Sequence, residues 1–132
     1  KILPDEDVFV MGDRMRLEQV LINLLRNAHD AVKNETHPEI EIILNRGNVV
    51  TLSVRDNGHG ISDLDNLFEP FQTTKAPGDG VGLGLAISSG IIKDLGGRLT
   101  ARNAENGGAV FVIEMPIFNQ HGISENPIEA AE

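Results

Sequence analysis

Residues 49–60, VVTLSVRDNGHG, combine an alternating β-strand pattern with a glycine-rich turn. Period-two alternation places Val50, Leu52 and Val54 on one face of the strand, and Asp56 continues the same phase. The carboxylate is therefore expected at the end of an apolar face, where it can accept a hydrogen bond from an exocyclic amine. The alternative is an ordinary Asp-Asn-Gly turn that closes a strand.

The two glycines of this turn, Gly58 and Gly60, let the backbone bend sharply and let a flat ring approach without an intervening side chain. His59 between them is expected to be exposed rather than catalytic. A turn of this kind therefore suits a pocket for a purine base, with the carboxylate distinguishing adenine from guanine.

Composition limits the class of protein. The chain has 132 residues, 40% of them hydrophobic, which predicts one domain with a single core. Its formal charge of -9 argues against broad attraction to nucleic acid or anionic lipid. The lack of cysteine excludes disulfides and thiolate metal sites and is compatible with a reducing cytoplasm. No apolar run is long enough to span a bilayer, and the start at Lys1 suggests a piece excised from a longer protein.

A long amphipathic helix is predicted before this strand. Gly12 provides a break and Asp13 an N-cap, and the helix is expected from about residue 14 to residue 34. Its apolar positions recur at steps of three and four and form one core-facing stripe, whereas Ile22 falls outside it. The stripe comprises Leu17, Val20, Leu21, Leu24, Ala28, Ala31 and Val32.

The same helix carries a polar stripe at equivalent spacing. Asparagine is a poor interior helix residue, so two of them one turn apart, Asn23 and Asn27, require a reason. A carboxamide oxygen suits Mg²⁺, which shares its coordination with waters and nucleotide phosphates. The alternative is that these amides cap loops or face solvent. The stripe comprises Arg16, Gln19, Asn23, Asn27 and Asp30.

The remaining elements predict an α/β sandwich, with helices covering one face of a mixed or mainly antiparallel sheet. A short strand at 8–11 precedes the helix, and a hairpin with a turn at 46–48 follows it. The order is completed by a long loop at 56–80, a helix at 82–95 that ends at Gly96 and Gly97, and a second pair of strands. Strands are expected at 40–44, 49–55, 98–103 and 109–115, and residues 119–132 as an acidic tail.

Four glycines alternate immediately before the second helix, where backbone N–H groups can donate to phosphate oxygens. Neither the ending of a P-loop nor the strand of a dinucleotide-binding fingerprint accompanies them. Lys75, in the preceding loop, can meet phosphates when that loop closes, although a solvated surface lysine is an equal alternative. The glycines are Gly78, Gly80, Gly82 and Gly84.

Three segments in order, 23–28 (NLLRNA), 56–61 (DNGHGI) and 80–85 (GVGLGL), resemble the N, G1 and G2 boxes of the ATPase superfamily that includes gyrase, Hsp90, MutL and histidine kinases. Residues 67–71 (LFEPF) look like the F box particular to histidine kinases. The resemblance extends from about residue 8 to residue 117 and implies a Bergerat-type fold.

The resemblance also implies site residues. Asn27 would bind Mg²⁺ with Asn23 beside it, Asp56 would read the adenine amino group, and residues 72–81 would form an ATP lid. The catalytic set would be Asn27, Asn23 and Lys75, and the nucleotide-binding set Asp56, Gly58, Gly60, Ile61, Gly80, Gly82, Leu83 and Gly84.

Two departures from the family pattern are visible. Asp30 stands where many sensor kinases have a basic residue, so phosphate neutralisation is expected from Lys75 or Arg26. No H box is present, because none of the four histidines has a phosphoacceptor setting; they are His29, His37, His59 and His121. The sequences at 27–31 (NAHDA) and 73–75 (TTK) look like those of kinases that sense nitrogen status or dicarboxylates.

The resemblance therefore implies a histidine kinase catalytic domain that binds ATP and Mg²⁺ and phosphorylates a histidine on a separate dimerisation domain, upstream of a response regulator. It implies a cytoplasmic location without contact to nucleic acid or membrane. Gyrase-like relatives have a glutamate at the place of Asn23, and an amide cannot activate water. An anti-sigma-factor-type serine kinase, a stand-alone ATPase and a non-catalytic nucleotide sensor remain the alternatives.

Overall fold

The first helix forms as its sequence predicts. In the computed structural model, which describes residues 9–70 and 84–118, helix α1 spans Arg14–Val32. The Asp13 side chain caps it by accepting from the backbone N of Met15, at 3.0 Å, and of Arg16, at 3.4 Å. The helix ends two residues earlier than expected. Its buried residues are Val20, Leu24, Ala28 and Val32.

Every strand pairing in the sheet is antiparallel, which is one of the arrangements predicted. The strand order is β1-β2-β4-β3, so β4, the last strand in the described ranges, lies between β2 and β3. The two hairpins β1–β2 and β3–β4 are thereby joined through their inner strands. The strands are β1 Ile40–Arg46, β2 Val49–Asp56, β3 Arg98–Asn103 and β4 Ala109–Pro116.

The second helix, α2, spans Gly84–Asp94 and packs beside α1. Its end is closed at the predicted glycine pair: Gly96 N donates to Lys93 O and Gly97 N to Ile92 O, and Gly96 has a φ of +83°. Both helices cover one face of the sheet and enclose a single core, which gives a two-layer sandwich. The core comprises Val20, Leu24, Ala28, Val54, Ile91, Ile92, Leu99, Ala109, Phe111, Ile113 and Met115.

The expected strand at 8–11 is not formed in the part of the chain that the structure describes. Phe9 makes only an isolated antiparallel bridge to Phe118, whose N donates to Phe9 O at 2.7 Å. A strand needs a run of such pairs, and here the partner available to Phe9 is the segment beyond the end of β4. No helix within the described ranges is both long and apolar enough to cross a membrane.

Several predictions fall outside the described ranges. They concern the end of the F-box segment at Phe71, the proposed lid at 72–81 with Lys75, most of the glycine series before α2, and the acidic tail at 119–132. The nucleotide-site candidates among them are Gly80, Gly82 and Leu83.

Candidate functional site

A pocket of about 250 Å³ opens between the end of α1, the end of β2 and the start of α2. Four of the residues predicted to bind nucleotide and metal, Asn27, Asp56, Gly60 and Ile61, line this one pocket. Its surface is mainly apolar and includes several polar groups, as expected of a small-molecule site. Its lining comprises Asn27, Asp30, Ala31, Asp56, His59, Gly60, Ile61, Ser62, Asp63, Leu67, Leu85, Ala109 and Phe111.

Asp56 is the buried charge of the pocket, with 3% of its surface exposed. Its Oδ1 accepts hydrogen bonds from Gly58 N at 2.9 Å and from Ala109 N at 3.3 Å. Within the described ranges Oδ2 receives no hydrogen bond. A buried carboxylate oxygen without a donor is unfavourable, so Oδ2 has an unused capacity to accept a hydrogen bond.

The hydrogen bond between Asp56 and Gly58 confirms the turn interpretation of Asp-Asn-Gly. The turn uses only one of the two carboxylate oxygens. A role in the turn is therefore compatible with a further contact of the same side chain, because the turn uses Oδ1 alone and Asp56 also lines the pocket.

Glycines allow the walls of the pocket to approach closely. A Cβ on Gly58 would lie 2.5 Å from the carbonyl carbon of Ala31, and Gly60 has a φ of +78°. His59 between them is exposed, as predicted, and its Nδ1 lies 2.7 Å from Gly60 O. The chain therefore bends around the end of α1 with no side chain in between.

Sequence reasoning missed the contribution of the β3–β4 hairpin. A Cβ on Gly108, in the turn between β3 and β4, would overlap the carbonyl group of Asp56. The next residue, Ala109, donates its N–H to Asp56, and Asn103 contacts the backbone of Ile61. Gly107 and Gly108 both have a positive φ, +96° and +87°, which a hairpin turn alone can require, so the pair carried no separate signal of this contact.

The residues of the polar stripe of α1 lie in two different environments. Arg16 Nη2 lies 3.1 Å from Asp94 Oδ2 and Asn23 Nδ2 donates to Ser88 Oγ at 3.0 Å, so both contact α2. Asn27 and Asp30, further along the helix, line the pocket. The expected stripe is therefore present, but only its last turn faces the same cavity as Asp56.

Asn23 and Gly84 lie against each other at the start of α2. A Cβ on Gly84 would overlap Asn23 Oδ1 and would lie 2.9 Å from its Nδ2. Both residues line a second, open groove, which also contains Arg26 and Gln19. Through this contact the polar stripe of α1 meets Gly84, which is the first residue of α2 and the last of the four alternating glycines.

The chain is similar to known sensor proteins over most of its length. A family model described as histidine kinase-, DNA gyrase B- and HSP90-like ATPase matches residues 12–119. The two-component sensor PprA of Pseudomonas aeruginosa is 41% identical over 86% of this chain and 13% of its own length. The C4-dicarboxylate transport sensor protein DctB of the same species is 44% identical over 82% of this chain and 18% of its own length.

Solved structures show the same fold. The catalytic domain of histidine kinase ThkA matches with a TM-score of 0.71 and 40% identity, over 85% of this chain and 74% of that one. Full-length ShkA in complex with AMPPNP matches with a TM-score of 0.66 and 32% identity, over 84% of this chain and 23% of that one. The chain spans less than a fifth of the curated relatives PprA and DctB. By its sequence and its fold, this chain belongs to the histidine kinase-, DNA gyrase B- and HSP90-like ATPase family.

Proposed function

We propose that this chain binds Mg-ATP and donates the γ-phosphoryl group to a histidine on the dimerisation and phosphoacceptor domain of a two-component sensor kinase. The observation that carries the proposal is the buried Asp56 carboxylate, which lines the pocket, is held at Oδ1 and has no hydrogen bond to Oδ2 within the described ranges. Similarity to sensor kinases supports the reaction, and the AMPPNP complex of ShkA supports the nucleotide.

Adenine is the base that fits this carboxylate. Its amino group donates to Oδ2, whereas guanine has a carbonyl at the same place on the ring and would oppose an acceptor with another acceptor. The apolar side chains of Ile61, Leu85 and Phe111 line the pocket around the proposed base. A flat, apolar ring with one amine at its edge thus matches both the lining and the polar group.

The part of the pocket that Asn27 and Asp30 line suits Mg²⁺ bound together with phosphates. Within the described ranges no group of three acidic or histidine side chains can hold a metal unaided, and Asn27 with Asp30 offers oxygen ligands only. Such a partial set is usual for Mg²⁺, which keeps waters and takes its other ligands from the nucleotide. When bound, the ion neutralises phosphate charge. We assign Asn27 as its principal ligand and Asn23 as its neighbour.

The surroundings of Asn23 favour transfer over hydrolysis. Its amide donates to Ser88 Oγ and cannot accept a proton at neutral pH, so it cannot act as a base toward water. The chain then contributes positioning and charge neutralisation, while the nucleophile comes from outside. An imidazole nitrogen of the partner domain forms the new bond to the γ-phosphorus, the bond to the bridging oxygen breaks, and ADP leaves.

Phosphate contacts are assigned to the glycine series and to two basic residues. Gly84 begins α2 beside Asn23, and Arg26 lies in the same groove. The remaining candidates, Gly80, Gly82, Leu83 and Lys75, are assigned to the phosphates on the family pattern alone. The full protein is proposed to be a membrane-bound sensor with this domain in the cytoplasm, and similarity to DctB favours the dicarboxylate-sensing type.

The test combines this chain, ATP labelled at the γ-phosphate and a separately made fragment that carries the phosphoacceptor histidine. Label that enters the fragment, is lost in acid and survives in alkali supports histidine transfer. Acid-stable label on a serine supports the serine kinase. Release of free phosphate in the absence of the acceptor fragment supports the stand-alone ATPase, and ATP binding without transfer or hydrolysis supports the nucleotide sensor. Asp56→Asn serves as the site control, because at ATP concentrations below saturation it should lower label transfer without unfolding the chain.

A further inference from the structure

The side chain of Asn103, at the end of β3, binds the backbone of Ile61 in both directions. Its Oδ1 accepts from Ile61 N at 2.7 Å, and its Nδ2 donates to Ile61 O at 3.0 Å. These residues are 42 positions apart, so the contact is tertiary. A carboxamide is the side chain that can satisfy one peptide N–H and one C=O at once.

The preceding residue is fitted to the same side chain. Gly60 has a φ of +78°, and a Cβ there would lie 2.9 Å from Asn103 Oδ1. Both Gly60 and Ile61 line the pocket. This lining segment is therefore held by Asn103, in a backbone conformation that favours glycine.

Asn103 also pairs across the sheet with the residue that donates a hydrogen bond to the Asp56 carboxylate. Its cross-strand partner is Ala109, whose N–H donates to Asp56 Oδ1. One pair at the end of the β3–β4 hairpin thus fixes two walls of the pocket: Ala109 fixes the acceptor, and Asn103 fixes the peptide of Ile61. The distance between these two walls is set by the hairpin.

We infer that Asn103 is a positioning residue for adenine recognition, acting by holding Ile61 at a fixed distance from Asp56. This inference rests on the proposed function, because it concerns the base pocket of the same site. Without the two hydrogen bonds the peptide at 60–61 loses its anchor to the sheet. The free chain then samples pocket widths that do not fit the base. The apparent affinity for the adenine nucleotide is reduced in proportion to the fraction of molecules whose pocket does fit.

Three variants test this role. Asn103→Ala removes both hydrogen bonds, and Asn103→Asp keeps an acceptor for Ile61 N while losing the donor to Ile61 O at neutral pH. Asn106→Ala is the matched control, since Asn106 is an exposed asparagine of the same hairpin turn. Binding of ADP and GDP is measured by calorimetry, hydrogen exchange of the Ile61 amide by NMR, and stability by thermal unfolding.

For Asn103→Ala we expect about tenfold weaker ADP binding, the effect of two hydrogen bonds of ordinary net strength. GDP binding should change little, so the ratio of the two affinities falls. Exchange of the Ile61 amide should accelerate about tenfold or more, because its acceptor has been removed. Asn103→Asp should fall between wild type and Asn103→Ala, and Asn106→Ala should match wild type.

Unchanged ADP affinity in Asn103→Ala, with wild-type ADP binding intact, overturns the inference and leaves the proposed function standing. Equal losses of ADP and GDP, or a loss with unchanged Ile61 exchange, also overturn it, since either result indicates a general structural effect. A wild-type chain that takes up no ADP overturns the proposed function and the positioning role together.

Discussion

The backbone of Gly58 lies directly against the carbonyl group of Ala31, in the last turn of α1. A Cβ at Gly58 would also come within 2.8 Å of the Ala31 Cβ, so even the smallest side chain does not fit. This contact sets the distance between the polar end of α1 and the Asp56 carboxylate. The side chains proposed to contact metal and base are therefore positioned relative to each other through it.

Gly58→Ala should therefore destabilise the chain by about 2 kcal/mol or more, as forced overpacking of a rigid contact does. Gly90→Ala is the matched control, because Gly90 is exposed in α2 and an added Cβ would meet nothing within 4 Å. It should stabilise the helix by about 0.5–1 kcal/mol. Urea unfolding of both variants measures the difference, and equal stabilities would contradict the close contact.

Asp56→Asn should lower ADP affinity by about tenfold or more, because an amide NH₂ then opposes the adenine amine. The carboxamide oxygen can still accept from Gly58 and Ala109, so the fold should persist. Calorimetry with ADP and GDP gives the selectivity, and circular dichroism checks the fold. Asp65→Asn, an exposed site that does not line the pocket, is the charge-matched control. Retained selectivity for adenine in Asp56→Asn would remove the basis of base recognition.

Asn27→Asp should make nucleotide affinity more dependent on Mg²⁺. A second carboxylate beside Asp30 repels the phosphates when no cation is present, whereas bound Mg²⁺ offsets that repulsion. Calorimetric titrations of ADP with Mg²⁺ and with EDTA measure the ratio. Asn45→Asp, on the exposed edge of β1, controls for net charge and should leave the ratio unchanged. The same ratio in Asn27→Asp as in wild type would place the metal elsewhere.

The hydrogen bond between Asn23 and Ser88 should couple α1 to α2 in the unfolding equilibrium. Ser88 is 1% exposed, so Ser88→Ala leaves the Asn23 amide without its buried acceptor. A double-mutant cycle with Asn23→Ala should give a coupling free energy of about 1 kcal/mol. Ser89→Ala, at the next position of α2, is the control for loss of a hydroxyl. A coupling near zero would show that the contact contributes nothing to stability.

Much of the local structure could be predicted because it depends on short-range periodicity. The cap at Asp13, the buried stripe of α1 and the glycine stop after α2 all follow from residues within two turns of one another. The exposure of Ile22, at 50%, was predicted on the same basis. The strand expected at 8–11 failed because pairing needs a partner, and no local pattern identifies Phe118 as that partner.

The candidate site was only partly predictable. Asp56 could be found because strand alternation places it at the end of an apolar face, and the structure puts it at the pocket beside Asn27 and Ile61. Asn103 and Gly108 could not be found, since their partners lie more than 40 residues away. A contact of that range depends on how the hairpins pack, which a local pattern does not encode.

The amino-acid sequence by itself determined both helices, the strands of the two hairpins, the cap of α1 and the order of the motifs, because hydrophobic periodicity and turn chemistry act between near neighbours. Tertiary structure alone decided that β4 lies between β2 and β3, that Asn23 faces Ser88 while Asn27 faces the pocket, and that Asn103 holds Ile61. These relationships arise from burial of one shared core, which brings distant segments together and selects the side chains that meet.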